Sequence, residues 1–173
     1  GYRGGSAKVW LLTILRNAHA GISRLQEEVD RPGGGWSAEL RERARPLVGL
    51  VEDIGSEVYF ASGAYALRQA RDADEEGQIS EAQRERFYRE AVQVTTELAQ
   101  AATPGVAHHL LETLETFVAF DPVGVFERIG DVVRGGLRGG YQYDPLAVRL
   151  VVALVERYLA EHRGMLRESE SSQ

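Results

Sequence analysis

Three consecutive segments of this chain each open with Thr-Pro or Asp-Pro: TPGVAHHLLETLETFVAF (103–120), DPVGVFERIGDVVRGGLRGGYQY (121–143) and DPLAVRLVVALVERYLAEHR (144–163). A Thr or Asp side chain at a helix N-cap accepts a hydrogen bond from a free N–H of the first turn. Proline at the next position has a φ suited to a helix and no N–H to leave unpaired. The segments therefore predict three consecutive helices of similar length.

The residues before this stretch predict further helices. Apolar residues at helical spacing indicate a first helix over 6–29, with Ser6 as its N-cap, and a second helical region from 37 to about 71. Because proline removes a backbone hydrogen bond and clashes with the preceding turn, Pro46 predicts a kink or break in the second region. The same region carries small residues that favour close approach of another helix: Gly49, Gly55 and Gly63.

The remaining residues complete an all-helical pattern. A charged linker over 71–77 precedes Ser80 and Gln83, which form a capping box at the start of a helix. The last helix is nearly all apolar over 146–155, so we expect it to lie centrally, covered on two sides. No segment shows a sustained alternation of apolar and polar residues with a period of two, so no β-sheet is expected.

Helix pairs of about 40 residues with short connections are typical of HEAT-like repeats. We therefore predict one all-α domain over residues 6–163, with six or seven helices stacked as antiparallel hairpins in a HEAT-like array. An irregular helical bundle is the alternative. Residues 6–71 would form the N-terminal helices and 80–163 the C-terminal repeats. Residues 1–5 are expected to be disordered or a linker, and 164–173 a disordered tail.

Composition excludes several classes of function. The chain has no cysteine, which rules out disulfides, thiol chemistry and cysteine-type zinc sites. Its net charge of −6 argues against nucleic-acid binding, which needs a basic field to replace counterions on phosphate. We find neither a transmembrane run nor a signal peptide, so we expect no membrane partner and a cytoplasmic location.

The most suggestive polar cluster is His108, His109 and Glu112. On a helix, spacings of three and four residues place Glu112 on one face with each histidine, so a single turn could present two metal ligands. Zinc sites usually gather three or four protein ligands, and the chain has no second cluster of this kind. A polar helix face with histidines packed at a helix junction is therefore favoured over a metal site.

Two Arg-Gly-Gly units, at 134–136 and 138–140, resemble nucleic-acid-binding RGG segments. True RGG segments are long and disordered, so a helix C-cap with glycine in the left-handed region is favoured here. The chain contains no phosphate-binding loop and no Gly-x-Ser-x-Gly or Ser-x-x-Lys motif. We therefore expect no catalytic residue and no cofactor.

Candidate interface residues lie at two places in the chain. The first half of the first helix is apolar on nearly every side, which is typical of a segment that is buried from several directions or faces a partner. Tyrosines before the last helix could contact a partner or form a local hydrophobic staple. The candidate residues are Val9, Trp10, Leu12, Ile14, Tyr141 and Tyr143.

Residues 117–163 contain the end of a leucine-rich helix, then FDPVGVF, then GYQY before a helix ending VERYLAE. This pattern resembles the C-terminal helical segments of large bacterial multidomain ATP-binding proteins, some of them of antiphage-defence type. The resemblance covers about the last third of the chain and carries no catalytic residues. It implies a regulatory or recognition region whose ATPase lies elsewhere.

These observations favour a non-catalytic domain for protein–protein interaction, self-assembly or sensing, within a larger bacterial protein. The alternative is a metal- or small-molecule-dependent helical enzyme or ligand sensor that uses the face of His108, His109 and Glu112. A third interpretation is nucleic-acid binding through Arg134, Arg138 and Arg149. It requires these three arginines to share one basic face.

Overall fold

A computed structural model describes residues 2–64, 80–101, 103–139, 145–165 and 167. Throughout these residues the regular structure is helical and no strand occurs, which confirms the all-α prediction. The long helices are α1 (Tyr2–Asp30), α2 (Ala38–Ala61), α3 (Glu81–Gln100), α4 (Pro104–Phe117), α5 (Pro122–Gly139) and α6 (Pro145–Glu161).

The two ends of the chain are more helical than the sequence predicts. Helix α1 begins at Tyr2, so residues 2–5 are helical and Ser6 lies inside the helix rather than at its N-cap. A helix that has formed can extend over poor helix formers, because each added residue gains a backbone hydrogen bond. At the other end, residues 163–165 and 167 are also helical, and Met165 packs against the core.

Helix α2 runs through Pro46, so a break at this position is wrong, and a kink remains a prediction. The apolar side chains that follow the proline, Val51 and Val58, are buried, and their packing offsets the missing backbone hydrogen bond. The helix ends at Ala61, and Gly63 follows with a φ of +77° that few other residues adopt. The predicted extension to residue 71 and the linker over 71–77 lie outside the described residues.

The predicted helix starts are confirmed in part. Ser80 and Gln83 form the expected capping box, and Asp121 accepts a hydrogen bond from Gly124 N–H at 2.9 Å. Thr103 precedes α4 but makes no side-chain capping bond, and its buried hydroxyl has no partner. Asp144 lies outside the described residues, although α6 begins at the next residue.

Helix α4 is the centre of the fold. It packs against α2, α3, α5 and α6, and it carries a set of side chains that are almost completely buried: Val106, Ala107, Leu110, Leu111, Leu114 and Phe117. Gly55 of α2 lets α4 approach closely, since a Cβ there would lie 3.2 Å from Val106 Cγ1. The prediction that the last helix is central is wrong, because α6 buries only one side.

The helices that make the main contacts are neighbours in the chain or have one described helix between them. Helix α1 packs against α2 and α3, and ion pairs reinforce both contacts: Arg43–Glu28 at 3.2 Å and Arg16–Glu97 at 2.7 Å. Stacked helical arrays and compact bundles both contain contacts of this kind. Antiparallel hairpins in a HEAT-like array therefore remain a prediction.

Candidate interaction surfaces

The outer side of α1 exposes large apolar side chains. Val9, Trp10 and Ile14, which we call the α1 outer face, are 63%, 66% and 37% exposed. Leu12, which the sequence groups with them, is buried in the core beside Leu15 and is not available to a partner. Three of the four interface candidates on this helix therefore lie at the surface. The other candidates, Tyr141 and Tyr143, lie outside the described residues.

An apolar groove of about 630 Å³ lies between α1, α2 and α3. Three alanines line it, and their small side chains leave space between the helices: Ala7, Ala61 and Ala91. Leu11, Val58 and Phe87 add apolar surface, and Lys8, Glu57 and Glu90 bring charges to the lining. The groove could accept an apolar side chain or a small apolar ligand. Sequence reasoning missed it because it depends on the relative placement of three helices.

The structure brings His108 and Glu112 together, as their spacing predicts. His108 Nε2 lies 2.9 Å from Glu112 Oε1, and both side chains are largely buried. His109 turns elsewhere: its ring stacks on Tyr59 of α2, with ring centroids 4.5 Å apart. His109 thus packs at the junction of α2 and α4, whereas the ion pair of His108 lies within α4. Within the described ranges, no group of three or more His, Asp or Glu residues could hold a metal ion.

A polar network at the start of α5 joins three helices. The Tyr88 hydroxyl of α3 donates to Asp121 Oδ2, and Arg128 Nε of α5 donates to Thr96 Oγ1 of α3 at 3.0 Å. The Tyr158 hydroxyl of α6 donates to the carbonyl of Pro122 at 2.6 Å. Arg128 is only 9% exposed, and its Nη1 lies 3.9 Å from Asp121 Oδ2.

The pKa values of these groups shift in directions that keep the network intact. Burial would raise the pKa of Asp121, but hydrogen bonds from Tyr88 and Gly124 and the charge of Arg128 outweigh it and lower this pKa. Burial raises the pKa of Tyr88. Burial also raises the pKa of Tyr158, which reaches about 12. Both hydroxyls therefore stay protonated and donate at neutral pH. We interpret the network as a structural joint, since its hydrogen bonds link α3 and α6 to the start of α5.

The arginine–glycine segment is helical where the structure describes it. Helix α5 continues to Gly139, so Gly135 and Gly136 lie inside the helix, and a glycine cap beyond Gly139 would fall outside the described residues. Arg134 forms an ion pair with Asp131 at 2.6 Å, and the side chain of Arg138 lies outside the described part of the chain. Arg149 is exposed on α6, on the same side as Glu156. These placements give no support to a single basic face.

Helix α6 exposes a second apolar surface. Val148, Val152, Val155 and Leu159, which we call the α6 outer face, are between 39% and 51% exposed. A separate side of the helix is buried against the core through Ala147, Leu154 and Tyr158. The sequence indicates the apolar run but not that half of it lies at the surface.

Two further findings concern the chain as a whole. Among the helices described above, none has both the length and the apolar character that crossing a bilayer requires. Comparison with models of protein families, with curated proteins and with solved structures found no match. Function must therefore be inferred from the surfaces of this chain itself.

Proposed function

We propose that this chain is a non-catalytic interaction domain that assembles with further copies of itself through the α1 outer face. The α1 outer face is the observation that carries the proposal. Its central residue, Trp10, is 66% exposed beside a filled core. Exposed apolar patches commonly mark interaction sites, and tryptophan is enriched among the residues that dominate binding energy.

The groove between α1, α2 and α3 supports this proposal. A large apolar anchor, Trp10, and an apolar recess lined by Leu11 lie on the same helix. A two-fold contact uses the same patch on both copies, so an anchor and a recess on one surface can be self-complementary. The charged residues of the groove, Lys8, Glu57 and Glu90, have opposite signs and could pair across such a contact.

The experiment is a measurement of solution mass by light scattering after gel filtration, for the wild type and for Trp10→Asp. We expect the wild type to exceed the monomer mass of 19.1 kDa and Trp10→Asp to be lighter yet folded, because the side chain is largely exposed. Ser23→Asp adds the same charge at an exposed position about 20 Å further along α1 and should behave as wild type. Equal masses for wild type and Trp10→Asp would contradict assembly through α1.

The setting of the domain is part of the proposal. The resemblance of residues 117–163 to helical segments of bacterial ATP-binding proteins supports a role within a larger, cytoplasmic assembly whose ATPase lies elsewhere. An assembly domain of this kind would bring copies of such a protein together. Its contribution would be the contact between copies rather than chemistry.

The pair of His108 and Glu112 favours a second candidate function, a metal- or ligand-dependent helical sensor or enzyme. Their side chains are 2.9 Å apart, and His108 Nδ1 is buried without a hydrogen-bond partner. A metal site would need further ligands. Metal analysis of the purified protein tests the metal version: stoichiometric metal that is lost in His108→Ala would support it, and a metal-free wild type would contradict it.

A further inference from the structure

The α6 outer face has the spacing of a coiled-coil seam. Val148, Val152, Val155 and Leu159 are separated by four, three and four residues, the alternation of a and d positions in a heptad pattern. All four are substantially exposed, and they extend over about 16 Å of helix at 1.5 Å per residue. A surface helix normally presents polar residues on its solvent side. This face therefore has the pattern of a helix that packs against one more helix.

The core of the chain does not need this face. On its inner side α6 is anchored through Leu154 and Tyr158, which are almost fully buried, and through the hydrogen bond from Tyr158 to Pro122. Among the described helices, α6 makes its main contacts with α4 alone. Substitutions on the outer face can therefore be made without removing core packing.

The charged residues beside the seam indicate which helix covers it. Arg149 and Glu156 each follow a seam residue by one position, so they flank the same side of the seam, and both are exposed. Their charges are opposite and they lie near the two ends of the face. A helix that carries the same two residues in the reverse direction would place a carboxylate near each guanidinium. A second copy of α6, run antiparallel, has this arrangement.

We propose that two copies of this chain pair through their α6 outer faces, antiparallel, about a two-fold axis that passes between Val152 and Val155. Val152 then lies opposite Val155 of the second copy, and Val148 opposite Leu159. This contact goes beyond the proposed role of α1, since it uses a different surface and names the occupant of that surface.

The antiparallel direction follows from the register. When Val152 lies opposite Val155 of the second copy, Arg149 of one copy and Glu156 of the other are offset by two residues. This offset is about 3 Å along the helix axis, and long side chains can span it. Two-fold symmetry forms this pair twice. In a parallel pair, the residues on the other side of the seam, Val151 and Tyr158, would face these charges, and they are turned toward the core.

The first experiment isolates this contact in the full chain that carries Trp10→Asp, so that assembly through the α1 outer face does not contribute. We expect this variant to be a dimer in light scattering, and the further substitution Val152→Asp to raise the dissociation constant about 100-fold, since it places a charge in an apolar contact. Ser23→Asp in the same background is the matched control and should leave the dimer unchanged. A Trp10→Asp dimer that persists with Val152→Asp would overturn the proposal, as would a monomer at every concentration.

A charge exchange tests the antiparallel register. Arg149→Glu alone and Glu156→Arg alone should each weaken the dimer about tenfold, because each variant brings like charges together twice. The double variant restores opposite charges and should recover the wild-type dissociation constant. Recovery is specific to an antiparallel pair of copies. Failure of the double variant to recover the wild-type dissociation constant would overturn the antiparallel pairing. Binding to a partner of different sequence would not be restored by exchanging the two charges.

The outcomes also separate this proposal from assembly through α1. If Val152→Asp reduces the mass and Trp10→Asp does not, the α6 contact stands and the α1 proposal fails. If only Trp10→Asp reduces the mass, the α6 contact is overturned and the α1 proposal stands. Circular dichroism of each variant should match the wild type, since both side chains are largely outside the core.

Discussion

Helices α4 and α6 are both rich in apolar residues, but they have opposite places in the fold. Helix α4 is surrounded by α2, α3, α5 and α6, and Leu110, Leu111 and Leu114 are at most 1% exposed. Helix α6 packs mainly on α4 and leaves Val148, Val152, Val155 and Leu159 at the surface. The difference teaches that apolar content alone does not identify a central helix. A helix at the edge of a domain can be equally apolar when one face is buried and the other is available for a partner.

The largest expected effect is on stability and comes from a substitution in α4, the buried helix of this comparison. Leu114→Ala removes a completely buried side chain of α4 and leaves a cavity between four helices, so we expect a loss of about 2–5 kcal/mol in the free energy of unfolding. Urea denaturation at constant pH measures it.

Val152→Ala is the matched substitution on α6. Because Val152 is about half exposed, we expect a change within about 0.5 kcal/mol in the monomer. A loss at Val152 as large as that at Leu114 would show that α6 is covered within the single chain. The distinction between the two helices would then disappear.

The next effect concerns the polar joint at the start of α5. Asp121→Asn keeps a capping oxygen but removes the negative charge that accepts from Tyr88 and lies near Arg128, so we expect a loss of about 1 kcal/mol at pH 7. The folded pKa of Asp121 is lowered, so its contribution is present above the unfolded pKa of about 3.9 and disappears as pH falls through the folded value.

Denaturation of wild type and Asp121→Asn at several pH values from 3 to 7 measures the pH dependence. At pH 7 the carboxylate contributes fully, and toward pH 3 its contribution is being lost. The stability difference should shrink below about pH 4. A difference that stays constant, or grows in acid, would contradict the role given to the carboxylate.

The smallest expected effect compares two sides of α2. A Cβ at Gly49 would meet nothing within 4 Å, so Gly49→Ala should stabilise the chain by about 0.5–1 kcal/mol through helix propensity. A Cβ at Gly55 would lie 3.2 Å from Val106 of α4, so Gly55→Ala should gain less or lose stability. Thermal unfolding of both variants decides this. An equal gain at both positions would indicate that α2 and α4 are not closely packed at Gly55.

The sequence predicted the helical class and the capping box at Ser80, because these depend on local spacing and cap chemistry. It misplaced the start of α1 and allowed a break at Pro46, where cooperative extension and packing outweigh local propensity. It also placed α6 at the centre, since an uncovered apolar face and a buried one have the same pattern of residues.

The interaction surfaces were predictable to different degrees. The exposed apolar residues of α1 were anticipated, except that Leu12 faces the core. The pair of His108 and Glu112 follows from helical spacing. The joint of Tyr88, Asp121 and Arg128 was missed, because it links residues of two helices whose contact no local pattern specifies. The groove between α1, α2 and α3 was missed for the same reason.

The most direct test of the central claim, that this domain assembles through exposed apolar helix faces, is the solution mass of the wild type by light scattering over a range of concentrations. We predict a mass well above 19.1 kDa that falls on dilution. A mass of 19.1 kDa at every concentration would contradict the claim, and the exposed faces of α1 and α6 would then need another explanation.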